Sequence, residues 1–233
     1  MYKIFLRLRK SIFKKFGLKV SPIENNSLKF LYPEATDYEI NLVETASEFS
    51  MTSHDRIFAL LRAIQHIDNN NLEGDFVECG VWKGGNLILY QKMIEKLNIK
   101  GKKIYGFDTF EGMSNPTDAD FPADNLFGGF KAEHYMKTQK KDLNINNIHA
   151  YAPIEMVKNN FNNNTKNRNN LILIKGKVED TLKIQSNLPD KISILRLDTD
   201  WYESTKTELE ILYPRLVKNG VLIIDDYGEY SGS

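Results

Sequence analysis

The sequence predicts an α/β fold built on a doubly wound, mostly parallel sheet. Three observations carry that expectation. Short apolar runs alternate with stretches of helical period from residue 53 onward, and such alternation argues for right-handed strand–helix–strand crossovers. The runs are near-continuously apolar, as strands covered on both faces are. Two of them stop on paired carboxylates, Ile194-Leu195-Arg196-Leu197-Asp198-Thr199-Asp200 and Val221-Leu222-Ile223-Ile224-Asp225-Asp226. Open parallel sheets form their sites outside the carboxyl ends of the strands.

Residues 1–20 interleave Ile4, Phe5, Leu8, Ile12, Phe13 and Phe16 with Lys3, Arg7, Arg9, Lys10, Lys14, Lys15 and Lys19. The charges interrupt the apolar part, which makes a poor secretory signal. A basic amphipathic segment of this kind either lies on an anionic membrane or docks on its own domain or a sister subunit in a homo-oligomer. Residues 20–50 have no clear period and read as an irregular lead-in. The expected division is therefore an N-terminal segment over 1–50 and a domain over 51–233.

From Ser53, the residues Ile57, Leu60, Leu61, Ile64 and Ile67 follow the spacing of one buried helix face, with Thr52 or Ser53 as its cap. Five strands follow by pattern: Asp75–Gly80, Lys103–Asp108, Leu171–Ile174 with an extension toward Val178, Ile192–Asp198 and Val221–Asp226. Helical stretches lie between them at about 84–97, 153–161 and 201–217. The long connection Glu111–Ala150 carries Gly112, Pro116, Pro122, Gly128 and Gly129 and has the length of a lid or binding loop. The polar, asparagine-rich stretch 162–170 reads as a surface connection.

Composition narrows the function. Lys plus Arg and Asp plus Glu are 31 each, so the charge balance offers nothing to recruit a nucleic acid. One cysteine, Cys79, rules out an intramolecular disulfide framework and a multi-cysteine zinc site, and it suits a reducing cytoplasm. Cys79 falls inside an expected buried strand, where an inert thiol is the simpler reading than a nucleophile. No apolar run is long enough to span a bilayer.

The first strand leads into Glu78-Cys79-Gly80-Val81-Trp82-Lys83-Gly84-Gly85. Glycines at a strand-to-helix turn let backbone approach a ligand, or serve helix–strand packing alone. The order G-x-x-x-G-G differs from the dinucleotide fingerprint G-x-G-x-x-G, and the acidic Glu78 suits a ligand with an amino group, such as S-adenosylmethionine. Asp108, with Thr109 beside it, stands where a carboxylate accepts hydrogen bonds from ribose hydroxyls, or else caps its own loop. Glu179, after the third strand, stands where the adenine edge would lie, though an ordinary turn accounts for it nearly as well. Trp82, Trp201 and Tyr202 read more readily as packing residues than as sugar platforms. Asp200 reads as a helix N-cap three residues before Glu203, or else as a metal or substrate contact.

If the last two strands are neighbours, their carboxylates share one crevice. Like charges that close repel unless a positive group lies between them. A hard divalent cation is the expected remedy, with Asp198, Asp225 and Asp226 as ligands.

The runs E-C-G-V-W-K-G-G at 78–85, Y-G-F-D-T-F-E-G-M at 105–113, L-R-L-D-T-D-W-Y-E-S-T at 195–205 and L-I-I-D-D-Y-G at 222–228 resemble, in this order, the macrocin O-methyltransferase family. The resemblance covers roughly 50–230 and implies a Rossmann-like class I methyltransferase fold. It also implies dependence on S-adenosylmethionine and Mg2+, and a sugar or glycoside hydroxyl as acceptor. The family's metal ligands carry over onto Asp198, Asp225 and Asp226, and its cofactor motifs onto Glu78, Gly80, Gly84 and Asp108. The family's histidine ahead of the third strand falls on His134 or His149, which with Asp198 make up the candidate catalytic set. The resembled fold continues with a helix and two more strands, so the C-terminal strands are expected to be missing after Ser233. Two other readings stay open: a metal-dependent glycosyltransferase using Asp198-Thr199-Asp200 as its D-x-D, and a non-catalytic module that binds an adenosyl ligand.

Overall fold

The computed structural model describes residues 28–117, 119–120, 137–138, 140–143, 149–225 and 227. The chain divides into two compact units, 1–41 and 42–233. The N-terminal basic stretch, His134, Asp226 and the residues after Tyr227 lie outside the described residues.

In the first unit, a one-turn helix α1 (Leu28–Leu31) precedes helix α2 (Asp37–Ser47), which carries the chain onward into the second unit. The lead-in is thus helical where no period predicted it. A capping box starts α2: Thr36 donates its backbone N–H to Glu39 Oε2 at 2.7 Å, and Glu39 returns its own N–H to Thr36 Oγ1 at 3.2 Å. The T-x-x-E spacing was the available signal.

In the second unit, α3 (His54–Asn69) buries the predicted face, with Ile57, Leu60, Leu61, Ile64 and Ile67 at 0–1% exposure. Each such side chain contributes about 1.5–3 kcal/mol on burial. Ser53 stands at its N-cap without a side-chain cap bond, and Thr52 instead receives Arg196.

The sheet has five parallel strands in the order β3-β2-β1-β4-β5. They are β1 (Asp75–Cys79), β2 (Ile104–Asp108), β3 (Leu171–Lys175), β4 (Ile192–Leu197) and β5 (Leu216–Ile224). Between them come α4 (Gly85–Leu97), α5 (Ile154–Asn164), the single turn α6 (Val178–Thr181) and α7 (Tyr202–Ile211). Val77, Cys79, Phe107, Leu195 and Leu197 form the buried centre of the sheet. Among the described residues no helix is long and apolar enough to cross a membrane.

Three boundaries differ from expectation. β3 ends at Lys175 because Gly176, at φ 140°, turns the chain directly into α6. The helix after β4 stops at Ile211 rather than 217, since Pro214 opens a 3-10 turn over Tyr213–Arg215. β5 accordingly starts at Leu216, not Val221. It pairs Leu216 with Ile192 and Val221 with Ile194, and the intervening residues bulge with Asn219 at φ 66°.

Asp200 does not cap α7. It adopts φ 65°, and Trp201 stands at the N-cap. The cap comes from far away in the chain: Asp120 Oδ1 accepts the Tyr202 N–H at 2.7 Å, while Asp120 Oδ2 accepts the N–H and hydroxyl of Thr117. Asp120→Ala is expected to lower unfolding free energy by about 1–2 kcal/mol, the usual worth of a cap, read from the urea midpoint.

Candidate active site

Every strand delivers residues to one pocket at the carboxyl edge of the sheet. Gly80 follows β1, Asp108 and Thr109 end β2, Gly176–Glu179 follow β3, Asp198–Trp201 follow β4 and Asp225 follows β5. Met51, Thr52 and Arg56, leading into and opening α3, close one side. The cavity measures about 330 Å3, at the small end of the range of ligand pockets. It lies at the switch point where the strand order reverses between β1 and β4.

The centre of its electrostatics is Arg196, one residue before the carboxyl end of β4 and 2% exposed. Its Nη1 donates to Glu78 Oε1 at 2.9 Å and Asp198 Oδ2 at 2.7 Å, and its Nη2 donates to Asp225 Oδ1 and Thr52 Oγ1, each at 2.9 Å. The planar guanidinium fork suits this simultaneous bridging. Asp225 Oδ2 accepts a second guanidinium, from Arg56 Nη1 at 2.8 Å. The two strand ends do converge, as expected from sequence. The positive group found between Asp198 and Asp225 is an arginine, a residue passed over because it stands in an otherwise apolar run. Among the described residues no cluster of three or more His, Cys, Asp or Glu side chains forms a metal-holding group, and Asp226 lies outside them.

Glu78 is 1% exposed and lies behind the pocket wall. Its Oε1 accepts both Arg196 and Asn86 Nδ2, the latter at 2.8 Å, while Oε2 has no partner among the described residues. Burial pushes its carboxyl up to about 7 against the pull of Arg196 and Asn86. Asp198, Glu78 and Asp225 hold Arg196 firmly charged against its own burial. One cation shared by three carboxylates leaves Glu78, which has the least solvent, as the one that most readily keeps a proton.

The glycines of the first turn answer to protein neighbours. A Cβ on Gly80 would fall 1.8 Å from the Asp198 carbonyl oxygen, one on Gly84 3.0 Å from Val157 Cγ1, and one on Gly85 2.3 Å from the Ala46 carbonyl. Close packing of β1, β4 and the helices therefore requires them, and of the three Gly80 lines the pocket. Asp108 braces this turn. Its Oδ2 accepts the N–H of Val81 at 2.7 Å and of Trp82 at 3.1 Å, and its Oδ1 accepts the N–H of Phe110 at 2.7 Å. Burial nonetheless lifts its carboxyl above the ordinary range. Thr109 and Glu179 line the pocket too: the Thr109 hydroxyl donates to the Gly112 carbonyl at 2.7 Å, and Glu179 Oε1 accepts Ser204 Oγ at 2.8 Å. Ala150 reaches the wall, whereas His149 contributes its backbone carbonyl to the Met113 N–H at 2.8 Å. Trp201 forms wall as well, anchored by its indole N–H to the Ser114 carbonyl at 3.0 Å.

Beneath the β4 tip lies Glu208, fully buried. Its Oε1 accepts the Thr199 hydroxyl at 3.0 Å, its Oε2 has no partner among the described residues, and burial pushes its carboxyl up to about 8 despite the Thr199 bond. Cys79 itself is buried and its thiol is pushed well up by burial, which suits an inert core thiol. Glu208 is neutral in the folded protein and ionised in the unfolded chain between its unperturbed value of 4.5 and about 8. The unfolded state then binds fewer protons, so this group makes stability fall as pH rises through that window and level off above it. Glu208→Gln removes the titration. Its stability relative to wild type is expected to climb by roughly 4 kcal/mol between pH 5 and 8, as read from paired urea titrations.

The strand order, the pocket across the switch point and the likeness to a solved methyltransferase of the same layout define a class I methyltransferase fold. The chain belongs to the macrocin-O-methyltransferase (TylF) family, whose model matches residues 43–233. It is similar to demethyldecarbamoylnovobiocin O-methyltransferase of Streptomyces niveus, 28% identical over 182 residues that span 78% of this chain and 63% of that protein. It is also similar to mycinamicin III 3''-O-methyltransferase of Micromonospora griseorubida, 26% identical over 212 residues, 85% of this chain and 78% of the other. The solved O-methyltransferase NovP superposes with a TM-score of 0.62 at 25% identity, over 76% of this chain and 66% of that one. The calicheamicin methyltransferase CalS11 shares the fold at a TM-score of 0.52 and 15% identity, over 92% and 87% of the two chains. This chain thus spans slightly under two thirds of the length of the Streptomyces niveus enzyme and of NovP. Membership in this family sets aside the glycosyltransferase reading that the D-x-D spacing left open.

Proposed function

We propose that the protein transfers a methyl group from S-adenosylmethionine to a hydroxyl of a sugar or glycoside, with a divalent cation, Mg2+, at the Asp198–Asp225 side of the pocket. The observation that carries this reading is the convergence of all five strand tips on one cavity of about 330 Å3, with carboxylates at the β4 and β5 ends. The family and the rhamnosyl group in the name of a relative from Streptomyces olivaceus, a tetracenomycin-C 4'-O-methyltransferase, support the chemistry. The single cysteine suits a reducing cytoplasm.

The residues present fit both groups. The cavity accommodates a nucleoside-sized ligand, with Gly80, Asp108, Thr109 and Glu179 in its wall. Asp198 and Asp225 are hard oxygen donors that already bind cationic guanidinium groups, and Asp226 follows Asp225 directly. When bound, the adenosyl donor supplies a methyl group on a positively charged sulfonium, and the cation supplies Lewis acidity toward a hydroxyl and favours an acceptor with two neighbouring hydroxyls.

The chain's own residues do the remainder. Arg196 fixes Asp198 and Asp225 against each other, so the two carboxylates are oriented before any ligand arrives. Glu78 and Thr52 hold Arg196 from behind, and Glu208 holds the β4 tip through Thr199. Trp201 and Met113 restrict water in the cavity. The proton of the attacking hydroxyl goes to His149, His134 or a carboxylate of the cluster.

Calorimetric titration with S-adenosylmethionine and with UDP-sugars, each with and without Mg2+, tests this. Binding of the adenosyl donor alone is expected. Binding of the UDP-sugars instead would overturn the proposal, and donor binding without transfer to any diol would leave only a binding module.

A further inference from the structure

Asp225 holds two guanidinium groups of different character. Arg196, on Oδ1, is 2% exposed and tied to three further side chains, Glu78, Asp198 and Thr52. Arg56, on Oδ2 at 2.8 Å, is 48% exposed, comes from the first turn of α3 and lines the pocket beside Asp225. Asp225 itself is 6% exposed, so its outward oxygen meets the pocket through Arg56. One of the two cations is built into the sheet. The other is half in water, on a long side chain, and free to move aside.

We propose that Arg56 is a resident counter-cation exchanged for the divalent ion. Without the ion it neutralises Asp225 Oδ2. On ion binding it releases that oxygen and swings toward solvent. The exchange rests on the metal reading above and adds a competitor to it. A carboxylate oxygen already accepting a guanidinium must give up that bond before it ligates an ion, and a positive charge so close also repels the incoming one. A partly exposed ion pair is weak enough to be displaced, which makes the competition modest rather than prohibitive. In the ion-free protein the same pair spares the buried carboxylate at the β5 end from carrying an unbalanced charge.

The test uses Mn2+ as the probe, with free ion counted by its electron paramagnetic resonance signal, on wild type, Arg56→Gln and Arg56→Lys. Arg56→Gln is expected to bind Mn2+ roughly three- to tenfold more tightly than wild type, with Arg56→Lys between them. A double-mutant cycle of Arg56→Gln and Asp225→Asn on urea stability supplies a readout without activity. Coupling between the two positions is expected in EDTA and its disappearance at saturating Mn2+. Equal Mn2+ affinity in wild type and Arg56→Gln, or coupling that persists at saturating Mn2+, would overturn the exchange while leaving the metal site standing. Absence of Mn2+ binding in every variant would overturn both.

Discussion

Arg196→Met is expected to lower the unfolding free energy by roughly 3–5 kcal/mol, the usual cost of removing one partner of a buried ion pair. Methionine fills the volume but strands Glu78 and Asp225, at 1% and 6% side-chain exposure, without their shared cation. The loss has a predictable pH dependence. With the guanidinium gone, the Glu78 carboxyl rises further above about 7 and is neutral in the folded state, while the unfolded chain ionises near 4.5. The variant's deficit therefore stays nearly level from pH 5 to 7, where Glu78 is protonated in both folded proteins, and widens as pH rises through about 7 toward 8. Arg196→Lys should recover only part of it, because one ammonium cannot meet the four acceptors that the fork meets. Urea denaturation at pH 5 and pH 8 reads all of this, and a variant as stable as wild type at both would show that the arginine is not the keystone of the sheet edge.

The second large effect falls on turnover. Asp225→Asn is expected to lower kcat for methyl transfer on the order of 10^3-fold, the scale seen when a preorganised electrostatic contact is lost. The substitution keeps an oxygen for Arg196 Nη2 and removes the charge that faces the pocket. Donor affinity should hold, since Gly80, Thr109 and Glu179 belong to other strand ends. The readout is therefore split: kcat at saturating donor falls, and the calorimetric Kd for S-adenosylmethionine stays within about twofold of wild type. Loss of donor binding together with turnover would mean a general collapse of the pocket.

The five strands and their order along the chain were legible because parallel strands buried on both faces are apolar throughout. The β5 start was not, because Lys218, Asn219 and Gly220 look like a turn, and the bulge that absorbs them is a pairing property of β4. Helix α2 carried a readable signal in Thr36 and Glu39 that hydrophobic period alone does not weigh. In the site, Asp198 and Asp225 were legible as charges ending apolar runs. Arg196 was passed over, although a charge that an apolar strand has no reason to hold unless it is paired was the available signal. Thr52, Arg56 and Asp120 were not, since each meets its partner across 82 or more positions of sequence. The glycines of the first turn point to close backbone approach in either reading. That β4 and the helices make such an approach is decided only in three dimensions.

The most direct measurement incubates the purified chain with S-adenosylmethionine, Mg2+ and glycosides that carry neighbouring hydroxyls, and weighs the products by mass spectrometry. A gain of one methyl on the sugar, lost on adding EDTA and restored by excess Mg2+, is the predicted result. Methylation that proceeds undiminished in EDTA, or no transfer to any such glycoside while the donor is bound, would contradict the account.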